Sequence, residues 1–261
     1  MQLENVILEK SNHIATITLN RPDAFNSFNF DLGNDLVTAL ESCSDDSDIK
    51  VVVITGAGRA FCAGGDLVLF HKSPDISNTL RQVIKILNTG IMVMRRMSQP
   101  IIASINGAVG AAGMSIAAAC DLRICASSVN FKQAYTSVGL VPDGAWTLLI
   151  PLLIGLGKAS ELVLLDPVFD AQKALDMGFV NQVVDDSELE KATYDTASRL
   201  VKGPALAFTI VKENLNNAML GFLERQLELE RRGMTMVGKT ADAREGISAF
   251  LEKRKPDFSG R

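Results

Sequence analysis

Tryptophan occurs once in this 261-residue chain, tyrosine twice and histidine twice, so several site chemistries lack their usual residues. With Trp146 alone and no interleaving of basic and aromatic residues, a stacking groove for single-stranded nucleic acid has no material. Charge of one sign does not accumulate either. The formal net charge of -4 leaves no basic footprint for nucleic acid. His13 and His71 stand apart, without metal-ligand spacing, and read as structural or exposed. Cys43, Cys62, Cys120 and Cys125 contain no Cys-x-x-Cys pair. No metal site is expected, and the cysteines read as small core residues of a reducing compartment. Apolar runs are broken by Gly, Pro or charge before they reach bilayer-spanning length. Met1 to Lys10 lacks the basic-then-apolar form of a secretory leader, and Ser259-Gly260-Arg261 is not a peroxisomal tripeptide. A cytoplasmic protein with neither a membrane nor a nucleic-acid partner is expected.

What the chain does contain is enough apolar material for a large core, 47% against 21% charged. Val6 to Glu9 and Ile14 to Leu19 alternate as strands around Ser11-Asn12. Phe30 to Cys43 has helical spacing, and Val51 to Thr55 reads as a strand buried on both faces. Ser73 to Ser77 reads as a mobile polar segment, and Thr79 to Met97 as a helix. Ile101 to Ile105 and Leu122 to Cys125 are strands, with Asp121 a structural acid or cap. Ala145 to Ile154, Lys158 to Leu165 and Ala171 to Met177 read as short helices, before a loop and strand from Gly178 to Val184. Beyond Ser187 only helices are predicted, over Ser187 to Val201, Pro204 to Asn217, Phe222 to Met236 and Ala241 to Glu252. The pattern is an α/β core with a helical appendage.

Two stretches of small residues follow strands. One is Ala63-Gly64-Gly65-Asp66. The other runs from Asn106-Gly107 through Ala108 to Gly113 into an apolar helix. Small residues at such a junction let another group approach the backbone. The first amides of a helix lack intrahelical partners and carry its positive dipole end, so the junction can hold a negative oxygen. Close packing of a buried helix accounts for the same residues. Gly56-x-Gly58 lacks the rest of a dinucleotide fingerprint.

In combination, these motifs resemble the crotonase (enoyl-CoA hydratase/isomerase) superfamily. The matching pieces are Leu19-Asn-Arg-Pro22 with Asn26, Val52 to Gly56, Phe61-Cys-Ala-Gly-Gly-Asp66, Pro100 to Asp121, Val138-Gly-Leu-Val-Pro-Asp143, Ala174 to Val184 and Ala241 to Phe250. The resemblance implies an α/β fold: a spiral of ββα units with two stacked sheets. Residues 1–186 would form the core, and 187–261 a helical C-terminal region for trimer contacts and active-site cover. It implies an acyl-CoA substrate whose thioester oxygen lies between the backbone amides of Gly65 and Ala112. Ala24, Phe25, Ala63, Gly64, Asp66, Leu67, Gly113, Ser115 and Tyr135 would contact the CoA and acyl groups. Coenzyme A arrives as part of the substrate, and no separate cofactor is implied.

The departures decide the expected reaction. Hydratases of this superfamily carry two glutamates, at positions where this sequence has Ser115 and Tyr135. The remaining matching acid is Asp143. Pro142-Asp143-Gly144 is also a good helix N-cap pattern, but the position matches the acid of the enoyl-CoA isomerase and 1,2-epoxyphenylacetyl-CoA isomerase branch. The expectation is an acyl-CoA isomerase that shifts a double bond or rearranges an epoxide ring, with Asp143 as acid and base. The alternatives are an enoyl-CoA hydratase using Asp143 alone, an acyl-CoA hydrolase or dehalogenase with Asp143 as nucleophile, and a catalytically silent CoA-binding scaffold. Arg254 and Lys255 read as solvated charge. The resemblance further implies a homotrimer or dimer of trimers, and a mixed stripe of Leu223, Leu227, Glu230 and Met234 reads as core within the chain. Light scattering at micromolar concentration is expected to give a trimeric or hexameric mass, and a monomeric mass would contradict that expectation.

Overall fold

The computed structural model describes residues 3–219 and 221–261, so the first two residues of the N-terminal stretch read above lie outside it. The elements in order are β1 (Val6–Ser11), β2 (Ile14–Leu19), α1 (Phe30–Ser44), β3 (Val51–Gly56), β4 (Ala60–Cys62), α2 (Leu67–Lys72) and α3 (Ile76–Arg96). Next come β5 (Ile101–Ile105), β6 (Ala108–Gly110), α4 (Ala112–Ala119), β7 (Leu122–Ala126), β8 (Asn130–Lys132), α5 (Trp146–Ile154) and α6 (Leu156–Leu165). The chain ends with β9 (Phe169–Asp170), α7 (Ala171–Asp176), β10 (Gln182–Val184), α8 (Leu189–Val201), α9 (Ala205–Met219), α10 (Leu223–Val237) and α11 (Ala241–Leu251).

Successive strands alternate between two sheets. The larger has the order β1-β2-β3-β5-β7-β10 and the smaller β4-β6-β8-β9. After the antiparallel hairpin β1-β2, each pass adds one strand to each sheet and returns through helix, so the larger sheet continues in parallel. Parallel strands covered on both faces need continuous apolar runs; every residue of β5 is buried accordingly. Phe131 of β8 stacks on Phe169 at 5.2 Å and meets Phe179, just ahead of β10, edge-on at 5.5 Å, which joins the two sheets.

The stacked sheets and C-terminal helices agree with the expected class. The short strands of the second sheet escaped the sequence reading because two or three residues cannot display a period-2 pattern. The helix α2 was missed for the same reason of length. It places His71 in a helical last turn. Ser73 to Ser77 is not a free polar segment. Asp75 accepts from the amide of Asn78 as N-cap, so α3 starts at Ile76, which is buried, and Ser77 donates to the Thr235 carbonyl of α10. From that cap α3 turns Leu80, Val83, Ile84, Leu87, Ile91 and Met94 inward at helical spacing. The four cysteines are buried and free. Among the described residues no helix is long and apolar enough to cross a membrane.

Asp121 is the structural acid anticipated. Its carboxylate pairs with Arg95 and with Lys212 of α9, each at 2.9 Å, and accepts from the Ile101 amide at 2.8 Å. The Lys212 side chain is only 7% exposed, so losing the acid strands an ammonium in the interior. Asp121→Asn is expected to cost about 3 kcal/mol of stability. Urea unfolding checks this, and a change below about 0.5 kcal/mol would show that the cluster is not what ties α9 to the core.

Candidate active site

Two loops close on each other at one end of the sheets. The loop after β4 carries Ala63, Gly64 and Gly65, and the turn from β6 into α4 carries Gly110 to Gly113. A Cβ on Gly113 would lie 2.1 Å from the Cys62 carbonyl, and one on Gly110 2.6 Å from the Ala63 carbonyl. Gly64 has φ +111, and a Cβ there would meet the Ala111 Cβ at 2.8 Å. Ala111 itself has φ 40, a strained value for a residue with a side chain. Close packing and an oxyanion site are therefore not rival readings here, because the packing is what brings the backbones together.

The contact leaves two amides without partners. Phe28 bridges Gly65, giving its own N–H to the Gly64 carbonyl and taking that of Asp66, so the Gly65 N–H is passed over. Ala112 is the first residue of α4, where a helical amide has no intrahelical acceptor. Among the described residues neither N–H has a protein acceptor. Gly65 and Ala112 both line a cavity of about 110 Å³ that also holds Tyr135 and Asp143. Leu80, Val83, Ile84 and Leu87 of α3 form an apolar wall, completed by Met234 of α10 and Phe250 of α11.

Asp143 is 6% exposed. Its Oδ1 accepts from the Tyr135 hydroxyl at 2.6 Å, and no protein donor among the described residues reaches Oδ2. Burial pushes its carboxyl up to about 6, with the Tyr135 hydroxyl pulling the other way. The Tyr135 phenol is raised well above its ordinary value by burial and by the neighbouring carboxylate. Ser115 is fully buried and donates to the main-chain carbonyl of Asp143 at 2.7 Å. It thus supports the cavity wall from behind rather than lining the acyl pocket as expected.

The N-cap reading of Asp143 is not realised. α5 starts at Trp146, its cap residue Ala145 has no side-chain capping bond, and the Asp143 carboxylate bonds to Tyr135 instead. The capping is done from α10. Glu230, 5% exposed, accepts from the amides of Ala145 at 2.7 Å and Thr147 at 2.8 Å, and from the Thr147 hydroxyl. Burial pushes Glu230 up to about 7, those bonds hold it down, and the Asp143 charge raises it further. Sequence reading placed Glu230 in the core but missed this contact; an acid inside an apolar helical stripe was the available signal.

The other predicted contact residues are dispersed. Ala63 and Leu67 line the cavity beside Tyr135. Asp66 is occupied elsewhere, capping α2 at the Leu69 amide and pairing with Arg21 at 3.0 Å. Gly64 and Gly113 sit in the loop-to-loop contact. Ala24 ends a 3-10 turn, and Phe25 is exposed with the Arg59 guanidinium 4.5 Å over its ring. His13 lies in the β1-β2 turn against the Asp48 carbonyl, and Arg254 pairs with Glu245, both outside the cavity. Among the described residues no cluster of three or more His, Cys, Asp or Glu could hold a metal ion.

Within the two-sheet spiral, the paired amides and the buried acid share one cavity, and sequence comparison places the chain in a family. The sequence model of the enoyl-CoA hydratase/isomerase family matches residues 9–261. The chain belongs to that family, and so to the crotonase superfamily. It is similar to a 1,2-epoxyphenylacetyl-CoA isomerase of Escherichia coli, 34% identical over 264 residues that cover 99% of this chain and 100% of the relative. It is equally similar to a probable enoyl-CoA hydratase of Rhodobacter capsulatus, 35% identical over 100% of both chains. The crystal structure of an enoyl-CoA hydratase from Mycobacterium avium subsp. paratuberculosis superposes with a TM-score of 0.91 at 30% identity, covering 99% of this chain and 100% of that one. The family is one of acyl-CoA hydratases and isomerases, and the relatives carry names of both kinds.

The loop contact can be tested without substrate. Gly113→Ala must push the Cys62 carbonyl away by more than side-chain motion allows. It is expected to lower stability by about 3 kcal/mol, as measured by thermal unfolding, and a variant as stable as the parent would show that the two loops are free to separate.

Proposed function

We propose that the chain is an acyl-CoA isomerase that moves a double bond through a thioester dienolate. The observation that carries this reading is Asp143, the carboxylate of the cavity, whose Oδ2 meets no protein donor among the described residues and which shares that cavity with Gly65 and Ala112, whose amides meet no protein acceptor among them. The thioester carbonyl of an enoyl-CoA accepts from the amides of Gly65 and Ala112. Asp143 Oδ2 takes the proton alpha to the carbonyl, and the electron pair delocalises onto the oxygen as a dienolate. The same carboxyl returns that proton at the gamma carbon, so nothing is gained or lost overall. Each amide matters because charge develops on the oxygen it faces, and one such donor is worth about 3 kcal/mol. Burial suits the acid to the task by making Asp143 a stronger base than a solvated aspartate.

The residues at the two hydratase positions support shuttling over hydration. Ser115 spends its hydroxyl on a backbone carbonyl and Tyr135 on Asp143 itself. Neither is a carboxylate that could orient and deprotonate water. An epoxide rearrangement of a ring-bearing acyl-CoA would use the same amides with Asp143 assisting, and the name of the Escherichia coli relative favours including that substrate in any test.

Asp143→Asn is expected to lower kcat for isomerisation about a thousandfold while leaving acyl-CoA affinity within about twofold. The base works ionised, so kcat/KM of the parent should fall as pH drops through about 6. Tyr135→Phe removes the hydroxyl that favours the ionised form and should move that acid limb to higher pH. Mass spectrometry of a panel of enoyl-CoAs in deuterium oxide reads isomerisation, exchange and hydration together. Retained turnover in a folded Asp143→Asn, or fast formation of 3-hydroxyacyl-CoA by the parent, would overturn the proposal.

A further inference from the structure

We propose that Glu230 is a positioning residue for the acid–base step, fixing from α10 the backbone turn that carries Asp143. The inference rests on the reading of Asp143 as acid and base. Asp143 is followed by two consecutive left-handed residues, Gly144 at φ 64 and Ala145 at φ 65. Gly144 is wedged, since a Cβ there would lie 2.9 Å from the Ser115 Cβ and 3.0 Å from Leu87 Cδ2. Ala145 has a side chain and holds a conformation that persists only where the surroundings impose it. Glu230 imposes it by accepting the Ala145 amide through Oε2 and the Thr147 amide through Oε1. Its partners there are those two amides, the Thr147 hydroxyl and the positive end of α5; no ion pair involves it among the described residues.

Asp143 is thereby held at three points. Ser115 grips its carbonyl, Tyr135 its Oδ1, and Glu230 the two residues that set the direction of the chain beyond it. The first two lie close to Asp143 in the core. The third comes from the helical C-terminal region, on the helix that also contributes Met234 to the cavity. When the third hold is lost, the left-handed pair relaxes and the carboxyl leaves the line between the alpha and gamma carbons, while the acyl wall on α3 remains.

Glu230→Gln tests this, because its single carbonyl oxygen can satisfy one amide while its NH2 faces the other. With folding checked by circular dichroism, kcat is expected to fall at least about tenfold while KM stays within about twofold. Combined with Asp143→Asn it should add nothing further, because Glu230 acts through Asp143. A purely structural Glu230 would lower the melting temperature and leave the kcat of the folded enzyme at the parental value. Glu230→Asp, which keeps the charge one methylene back, takes its place if the glutamine variant does not fold and is expected to show the same split. Parental kcat in either folded variant, or a full multiplicative loss in the double variant, overturns the proposal. Parental kcat in Asp143→Asn would instead remove the isomerase reading itself, whereas an inactive Asp143→Asn beside a fully active Glu230→Gln removes only the positioning role.

Discussion

The structure depends on the contact between the loop after β4 and the turn into α4. At Gly113 and Gly110 the two backbones come closer than any side chain would permit, with Cβ positions 2.1 Å and 2.6 Å from carbonyl oxygens. That approach sets the spacing between the second sheet and the helix behind it. It also leaves the Gly65 and Ala112 amides without protein acceptors among the described residues, and both residues line one cavity. A buried amide without a partner is costly, as at Ala112, while Gly65 is half-buried. Under the proposed function these amides would act as a preorganised oxyanion hole, since donors already in place need no reorganisation as charge develops.

Asp143 completes the cavity under opposing demands. Removal from water disfavours its ionised form, and the Tyr135 hydroxyl restores part of what solvent would have supplied, so the carboxyl settles at about 6. A carboxyl in that range is mostly ionised at neutral pH and a better proton acceptor than a solvated one. A second buried acid stands behind it. Glu230 is raised to about 7 by burial and by the Asp143 charge, yet its hydrogen bonds to the start of α5 favour the ionised form. Two buried carboxylates in one corner of the core do not favour the fold.

The C-terminal helices are part of this site and not an annex to it. α10 packs on α3 and sends Glu230 and Met234 inward, while α11 brings Phe250 to the cavity. Gly246 of α11 lies so close to Val138 that a Cβ would fall 2.4 Å from its carbonyl, which seats α11 on the segment leading to Asp143. The aliphatic face of α3 and the late helices together enclose the acyl wall.

Much of the architecture was legible in the residue order. The continuous apolar runs of β3 and β5, the helical spacing of α1 and α3 and the helix-only stretch after Ser187 each declare themselves locally, because burial on one or both faces dictates a period. The small-residue stretches and Asp143 were legible in combination, through the resemblance of those motifs to one superfamily. The strands of the second sheet were not, since β4, β6, β8 and β9 span two or three residues and are strands only by virtue of their neighbours. The roles of polar side chains were the least readable. Asp66 and Asp143 both follow small or turn residues and both suit a helix cap, yet Asp66 caps α2 and pairs with Arg21 while Asp143 turns to Tyr135. The sequence by itself determined the longer elements, because burial dictates their local periodicity, and its resemblance to one superfamily pointed to the class of fold and to Asp143 as the candidate acid. Only the tertiary structure decided that Ser115 supports the wall instead of lining it, that Glu230 caps a helix far from it in the chain, and that the Asp143 carboxylate takes the Tyr135 hydroxyl instead of a helix cap, because hydrogen-bond partners distant in sequence are chosen by packing.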